Sequence, residues 1–174
     1  AIATEFSRSD WSYSDSKILG WTNKCVIAFN QFVSTHVKGD PHFKVGDYAV
    51  CNGYMRQNEM SLKTGQLVKI THISSDIESL DVEGNNFIIN SNFHAFMPKT
   101  LQSKNARIKQ ARAEDELHLV SKMEESWIDL RAVYACTINK AQGSTFDQVF
   151  IDLDDISRCN SGDQIARMLY VAVS

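Results

Sequence analysis

VYACTINKAQGSTFDQVFIDLDD, residues 133–155, is the stretch on which the fold turns. Two apolar, strand-like runs, Ala132–Thr137 and Val149–Leu153, flank TINKAQGSTF (137–146), which is polar, carries one glycine and has no apolar stripe. Thr137, Asn139, Ser144 and Thr145 offer short polar side chains, Lys140 a cation and Gln142 an amide, while Gly143 lets backbone approach a ligand closely. Hydroxyls, backbone N–H groups and a lysine at a strand end suit a phosphate. The crevice at the carboxyl ends of strands is also where open α/β sheets bind ligands. The same residues read equally as a plain polar connection with Gly143 as a helix C-cap, and the chemistry alone leaves both open.

Downstream, Asp163–Ser174 has a helical apolar pattern that runs to the last residue without a cap or stop signal. Upstream, Ser103–Leu130 is charged and free of Gly and Pro, and Leu117, Val120, Met123, Trp127 and Leu130 recur at helical steps, which predicts one amphipathic helix with a solvated face of mixed charge. Near the start, Lys17–Trp21 (KILGW) predicts a strand. Thr22 and Asn23 are good N-caps, and Val26, Phe29, Asn30, Phe32 and Val33 continue a helix toward Lys38. The texture changes at the turn KGDP (38–41). Strands are then expected at Phe43–Cys51, with a bend at Gly46-Asp47, at Gln66–Ile73 and at His94–Pro98. A loop is expected over 52–65, and a hairpin Glu78–Val82/Phe87–Asn90 turning on Glu83–Asn86. Short strands at this density predict a small β-barrel. The organisation expected is one α/β domain from residues 1–40 and 100–174, interrupted by a β module at 41–99.

Composition narrows the classes. The chain has 174 residues, 43% hydrophobic and 22% charged, the mix of one globular domain with an insert. No apolar run is long enough to span a bilayer, and AIATEFSRSDW lacks a signal pattern, so a cytoplasmic location without membrane partners is expected. Cys25, Cys51, Cys136 and Cys159 form no C-x-x-C pair and read as reduced thiols, and the five histidines give no zinc spacing, so no metal site is expected. Asp152, Asp154 and Asp155 are an acidic cluster that reads as solvated or capping rather than metal-binding. A net charge of −3 and a pI near 5.9 argue mildly against a free-standing nucleic-acid binder, less so for a part of a larger protein. A first residue of Ala and the unstopped final helix point to such a part. Among the aromatics, Trp127 is expected in the core and Trp21 is the most open to stacking a base. Tyr48, Tyr54 and Phe87 are expected to fill the β module.

Four segments, in order, carry a family resemblance. TINKAQGSTFDQVFID followed by ARMLYVAVS (166–174) resembles the last two motifs of superfamily 1 DNA helicases. WTNKCVIAFN (21–30) is similar to the strand–helix segment that opens their second motor lobe, and VGDYAV (45–50) with LKTGQLVKI (62–70) resembles the start of the β-barrel inserted in the RecD/Dda-like branch, the phage T4 Dda-like group. The resemblance covers residues 17 to 174 and implies the C-terminal motor lobe: α/β, a RecA-like P-loop-NTPase-type second lobe with a parallel sheet and flanking helices, interrupted by a small β-barrel.

It also implies a function: an ATP-dependent DNA helicase, serving DNA replication or repair in a bacterial or phage-infected cytoplasm, that couples hydrolysis to translocation on single-stranded DNA and duplex unwinding, 5′ to 3′. The cofactors implied are ATP and Mg2+, held mainly by an N-terminal RecA-like lobe. The partners implied are that lobe, single-stranded DNA, the duplex fork, and single-strand-binding or replication proteins. Position by position, Thr22, Asn23, Thr137, Asn139, Lys140 and Ser144 fall on the DNA side, and Gln142, Gly143, Thr145, Tyr170 and Val171 on the ATP cleft. The chain departs from the family pattern at Asn139, where His is usual, and at Thr145, where an acidic residue is common. The arginine completing V-[ST]-R, which stabilises charge on the transferring phosphate, falls just after Ser174. With no G-x-x-x-x-G-K-[ST] in the sequence either, no catalytic residue is expected here and no ATP hydrolysis by this chain alone. Two other readings remain: a stand-alone nucleic-acid- or protein-binding module, and a subunit of a RecBCD-like helicase–nuclease.

Overall fold

A computed structural model describes residues 1–173. The first elements are α1 (Ile2–Phe6), β1 (Ser16–Gly20) and α2 (Asn23–Phe32), which runs into a π turn, Val33–Val37. There follow β2 (Tyr48–Cys51), β3 (Met55–Gln57), β4 (Met60–Leu62), β5 (Leu67–Ser79), β6 (Val82–Ile89) and β7 (Phe93–Pro98). Next come α3 (Leu101–Ala113), α4 (Leu117–Ser126) and β8 (Leu130–Arg131). The chain ends with β9 (Ala135–Thr137), α5 (Ile138–Ala141), β10 (Gln148–Ile151), α6 (Leu153–Ser157) and α7 (Gly162–Val173). Two compact units result: Ala1–Phe43 with Ala132 onward, and Lys44–Arg131.

The first unit is built on a parallel sheet in the order β10-β1-β9. All five residues of β1 are buried, as a strand covered on both faces requires. Successive side chains point to opposite faces, and the cores follow. Ile18 packs with Phe6, Val26, Val33 and Ala135 on the α1/α2 side. Leu19 packs with Ile138, Ala141, Ile156, Met168 and Ala172 on the α5–α7 side. A mixed α/β arrangement with helices on both faces of a parallel sheet is compatible with the lobe expected from the sequence.

The second unit is antiparallel, in the order β7-β6-β5-β2-β8, with β3–β4 as a separate hairpin. Its core gathers Val82, Phe96, Ala111, Val120, Met123 and Trp127. Near the two ends of the sheet, the Ile128 N–H donates to the Phe96 carbonyl at 2.8 Å and Phe96 bridges Trp127. One bridge falls short of the continuous ladder that barrel closure needs.

Several expectations change. The single helix expected over Ser103–Leu130 is two helices, because Asp115 takes a left-handed φ of 57° and breaks the run without Gly or Pro. These helices pack with the β-rich unit through Ala111, Val120 and Met123, so the second boundary lies at 131/132 rather than at 99/100. The hairpin turns on Leu80-Asp81, both with positive φ as a two-residue turn of this type demands, and not on Glu83–Asn86. Gly84 is mid-strand, where a Cβ would collide with the Met97 carbonyl and the Phe96 ring. The loop expected over 52–65 contains the β3–β4 hairpin. Phe87 fills the interior as expected, but Tyr48 (39%) and Tyr54 (61%) are exposed.

Candidate nucleic-acid interface

The strand register assembles the candidate site. β1 and β9 run parallel with Gly20 opposite Thr137, so the β1–α2 turn and the β9–α5 turn leave the same end of the sheet. On the other side of β1, Leu19 pairs with Ile151, which brings Asp152 and α6 to that end as well. The site is therefore the carboxyl edge of three adjacent strands.

Thr22 and Asn23 open α2, with the Thr22 hydroxyl accepting the Cys25 N–H at 3.2 Å. Thr137 is the N-cap position of α5, and Asn139 and Lys140 are exposed on it. These five residues are brought to one end of the sheet. The descending connection is different. Gln148 pairs with Ser16, at the amino end of β1, so residues 142–147 carry the chain from one sheet end to the other. Gln142, Gly143, Ser144 and Thr145 are exposed along it, and Gly143 has φ +82° just beyond the α5 C-cap, Gln142. Ser144 is thus on the crossover rather than beside Thr22. Of the last-motif residues, Tyr170 is 73% exposed on α7, whereas Val171 packs on the Leu19–Ile138 core. Ser174 and the position after it lie outside the described residues.

The apolar stripe denied to TINKAQGSTF exists in miniature: Ile138 and Ala141 are buried and fix α5 against α7 through the Met168 and Ala172 core. Trp21 packs on that core while staying partly exposed, and Trp127 is 2% exposed in the other unit.

Further residues that the sequence did not mark as parts of this site complete it. Asp155, 4% exposed, accepts the N–H groups of Trp21 (2.7 Å) and Thr22 (2.8 Å) and the Thr22 hydroxyl (2.8 Å). Burial pushes its carboxyl up, but the Thr22 and Trp21 donors outweigh burial and hold it below the ordinary carboxylate range. Asp152 caps α6 by accepting the Asp155 N–H at 3.1 Å and also takes the Cys25 S–H at 3.3 Å. Burial, then the Asp152 contact, push the Cys25 thiol up to about 12, which makes it a poor nucleophile. A Cβ on Gly20 would lie 2.7 Å from the Cys25 sulfur, so glycine permits this close packing.

Asn30, buried on α2, donates to the Ala135 carbonyl (3.1 Å) and accepts from the N–H groups of Tyr134 (3.1 Å) and Ala135 (3.0 Å), covering the edge of β9. Lys17, buried on β1, donates to the carbonyls of Tyr13 and Val133 and lies 5.1 Å from the Phe146 ring centroid, at the foot of the crossover. Its burial lowers its pKa. An asparagine inside an apolar helical stripe and a lysine inside a strand were the signals available for these two.

Among the described residues there is no helix long and apolar enough to cross a membrane and no group of three or more His, Cys, Asp or Glu suited to a metal ion.

Against known proteins, residues 132–174 match the model of the UvrD-like helicase C-terminal domain. The matched stretch holds β9, α5, the crossover and β10, and runs on into the final helix. It supports a superfamily 1 helicase C-terminal region over that stretch. No curated protein matches the chain.

Proposed function

We propose that the chain is the C-terminal, RecA-like motor lobe of a superfamily 1 DNA helicase of the RecD/Dda-like branch, with Lys44–Arg131 as its inserted barrel-type module. The observation that carries the reading is the Gly20–Thr137 register. It sets two polar turns side by side at the carboxyl end of a parallel sheet, the second of them inside the helicase-type match.

In this reading Asn23, Thr137, Asn139 and Lys140 hold the phosphates of single-stranded DNA. Lys140 contributes the charge, and the amide and hydroxyl groups contribute directional donors. Gln142, Gly143 and Thr145 offer an amide, a backbone N–H and a hydroxyl to a nucleotide. That donor set fits part of a phosphate or ribose contact. ATP hydrolysis supplies the free energy for movement. In this reading Mg2+ falls to the partner lobe. Because α5 is continuous with the crossover, a shift of Gln142–Thr145 is passed directly to Asn139 and Lys140. Translocation 5′ to 3′ and action at a replication or repair fork belong to this proposal, as does the lack of hydrolysis by this chain alone.

The test is anisotropy of a fluorescein-labelled oligo(dT) titrated with the chain at two salt concentrations. Weak binding that falls with salt, and that Lys140→Ala weakens about three- to ten-fold, supports the reading. Binding unaffected by Lys140→Ala and Asn139→Ala sinks it. The exposed Tyr48 and Tyr54 favour a second reading, a binding module centred on the β-rich unit, for which Tyr54→Ala, and not Lys140→Ala, abolishes binding.

A further inference from the structure

We propose that Asp155 is a positioning residue for the strand-binding edge: it holds the β1–α2 turn and occupies Thr22, so that Asn23 rather than Thr22 meets the DNA. This rests on the function proposed above and deepens it.

A phosphate accepts hydrogen bonds only, so a residue that binds it must have a donor to spare. Thr22 has none. Its N–H and its single hydroxyl proton both go to Asp155, at 2.8 Å each. The remaining groups are also engaged: the hydroxyl oxygen accepts the Cys25 N–H, and the carbonyl accepts the Val26 N–H at 3.2 Å. Asn23, next in the chain, is exposed and carries an amide with two donors.

The clamp joins parts of the chain far apart in sequence. Asp155 follows β10 and is itself fixed, its N–H bonded to Asp152, whose own N–H continues the sheet to the Leu19 carbonyl at 2.9 Å. A carboxylate beside a DNA backbone ordinarily repels it. Here the charge is buried and met by three donors, so it organises the turn without confronting the strand.

The experiment uses the whole chain and the same oligo(dT) titration. Asn23→Ala, Asp155→Ala and Thr22→Val are each expected to weaken binding about five-fold, while Thr22→Ser, which keeps the hydroxyl, binds like wild type. The Thr22→Val/Asp155→Ala double variant is expected to be no weaker than the weaker single variant, because both changes break one unit. Multiplying effects mean that Thr22 contacts DNA independently, and wild-type binding by Asp155→Ala means that the turn needs no clamp. Either result overturns the proposal.

Should Asp155→Ala fail to fold, Asp155→Asn takes its place, with the Trp21 and Thr22 amide resonances as a readout that needs no DNA. Both are expected downfield in wild type and displaced upfield in Asp155→Asn. Unmoved resonances overturn the clamp. A wild-type chain that binds no oligonucleotide overturns the helicase reading instead, and the amide signature alone then decides whether the clamp stands.

Discussion

The two units solve the same problem by different means. In Lys44–Arg131 the strands are up to 13 residues long, β5, β6 and β7 pair in sequence order, and turns of two and three residues set their register. Backbone ladders and a core around Trp127 dominate, with side chains such as Gln57, Thr71 and Arg107 adding bonds to the backbone. In the parallel unit the strands are three to five residues long and every pairing is non-local. So few ladder bonds leave strand ends and an edge exposed, and side chains take over: Asn30 at the β9 edge, Asp155 at the β1 turn, Lys17 at the foot of the crossover. The difference teaches where sensitivity to mutation lies. The antiparallel unit should respond to lost volume, and the parallel unit to lost hydrogen bonds.

The sharpest test of the first half is Trp127→Ala. The indole is 2% exposed, 5.5 Å from the Phe96 ring, and bonds the Ser79 hydroxyl. Removing it is expected to cost about 3–5 kcal/mol in denaturant unfolding of the β-rich unit. A loss below about 1 kcal/mol breaks the comparison, because the unit would then stand on its ladders alone.

For the parallel unit the matching change is Asn30→Ala. It leaves the N–H groups of Tyr134 and Ala135 and the Ala135 carbonyl without their partner. About 2–3 kcal/mol is expected, since buried unpaired groups carry their full desolvation penalty. Hydrogen exchange at the Ala135 amide locates the effect, and unchanged protection there tells against edge covering.

A smaller effect comes from acid. The folded Asp155 carboxyl lies below its ordinary value of 3.8, so it adds stability that is fully present above the ordinary carboxylate range and is lost as pH falls through the folded value. Facing it or its immediate surroundings are Asp152, Cys25, Asp154, Lys24 and Arg158. Wild type is expected to lose its advantage over Asp155→Asn below about pH 4, with no change in the gap between pH 6 and 8. A gap that varies between pH 6 and 8 points to another titrating group.

This division also explains what the sequence made legible. KILGW, the Thr22 cap and HAFMP show local signals, an apolar run, a capping hydroxyl and alternation, and the elements lie where those signals put them; QLVKITHI marks the start of β5, which runs on to Ser79 instead of giving way to a new strand at Glu78. The hairpin turn was misread because Gly84 looks like a turn residue. Its glycine is required by the Phe96 ring across the sheet, a contact invisible along the chain. The break at Asp115 had no Gly or Pro to announce it. For the site, the polar turns could be read because their residues are consecutive. Asp155 could not be, since its partners lie at Trp21 and Thr22 and only the fold joins them. The family resemblance places Thr22 on the DNA side, and only the fold shows that its N–H and hydroxyl both donate to Asp155.

The smallest effect expected is at Arg112. Its guanidinium meets Glu124 at 3.0 Å between α3 and α4, a distance as short as the Asn30 contacts of the parallel unit. Both side chains are more than half exposed, so water and salt screen the pair and ordering two long side chains offsets the attraction. Arg112→Ala is expected to change stability by less than about 0.5 kcal/mol, and to matter still less at higher ionic strength. Arg107 is the internal control. It is 11% exposed, donates to the Leu80 carbonyl at 3.0 Å and lies 3.7 Å from the carboxylates of Asp81 and Glu116, so it pins the β5–β6 turn by a sheltered hydrogen bond with ion pairs beside it. Arg107→Ala should therefore cost more than Arg112→Ala in the same unfolding measurement, and the difference should persist in high salt. Equal losses would mean that charge, not backbone pairing and buried volume, holds this unit together, and the contrast between the two units would fail on that side.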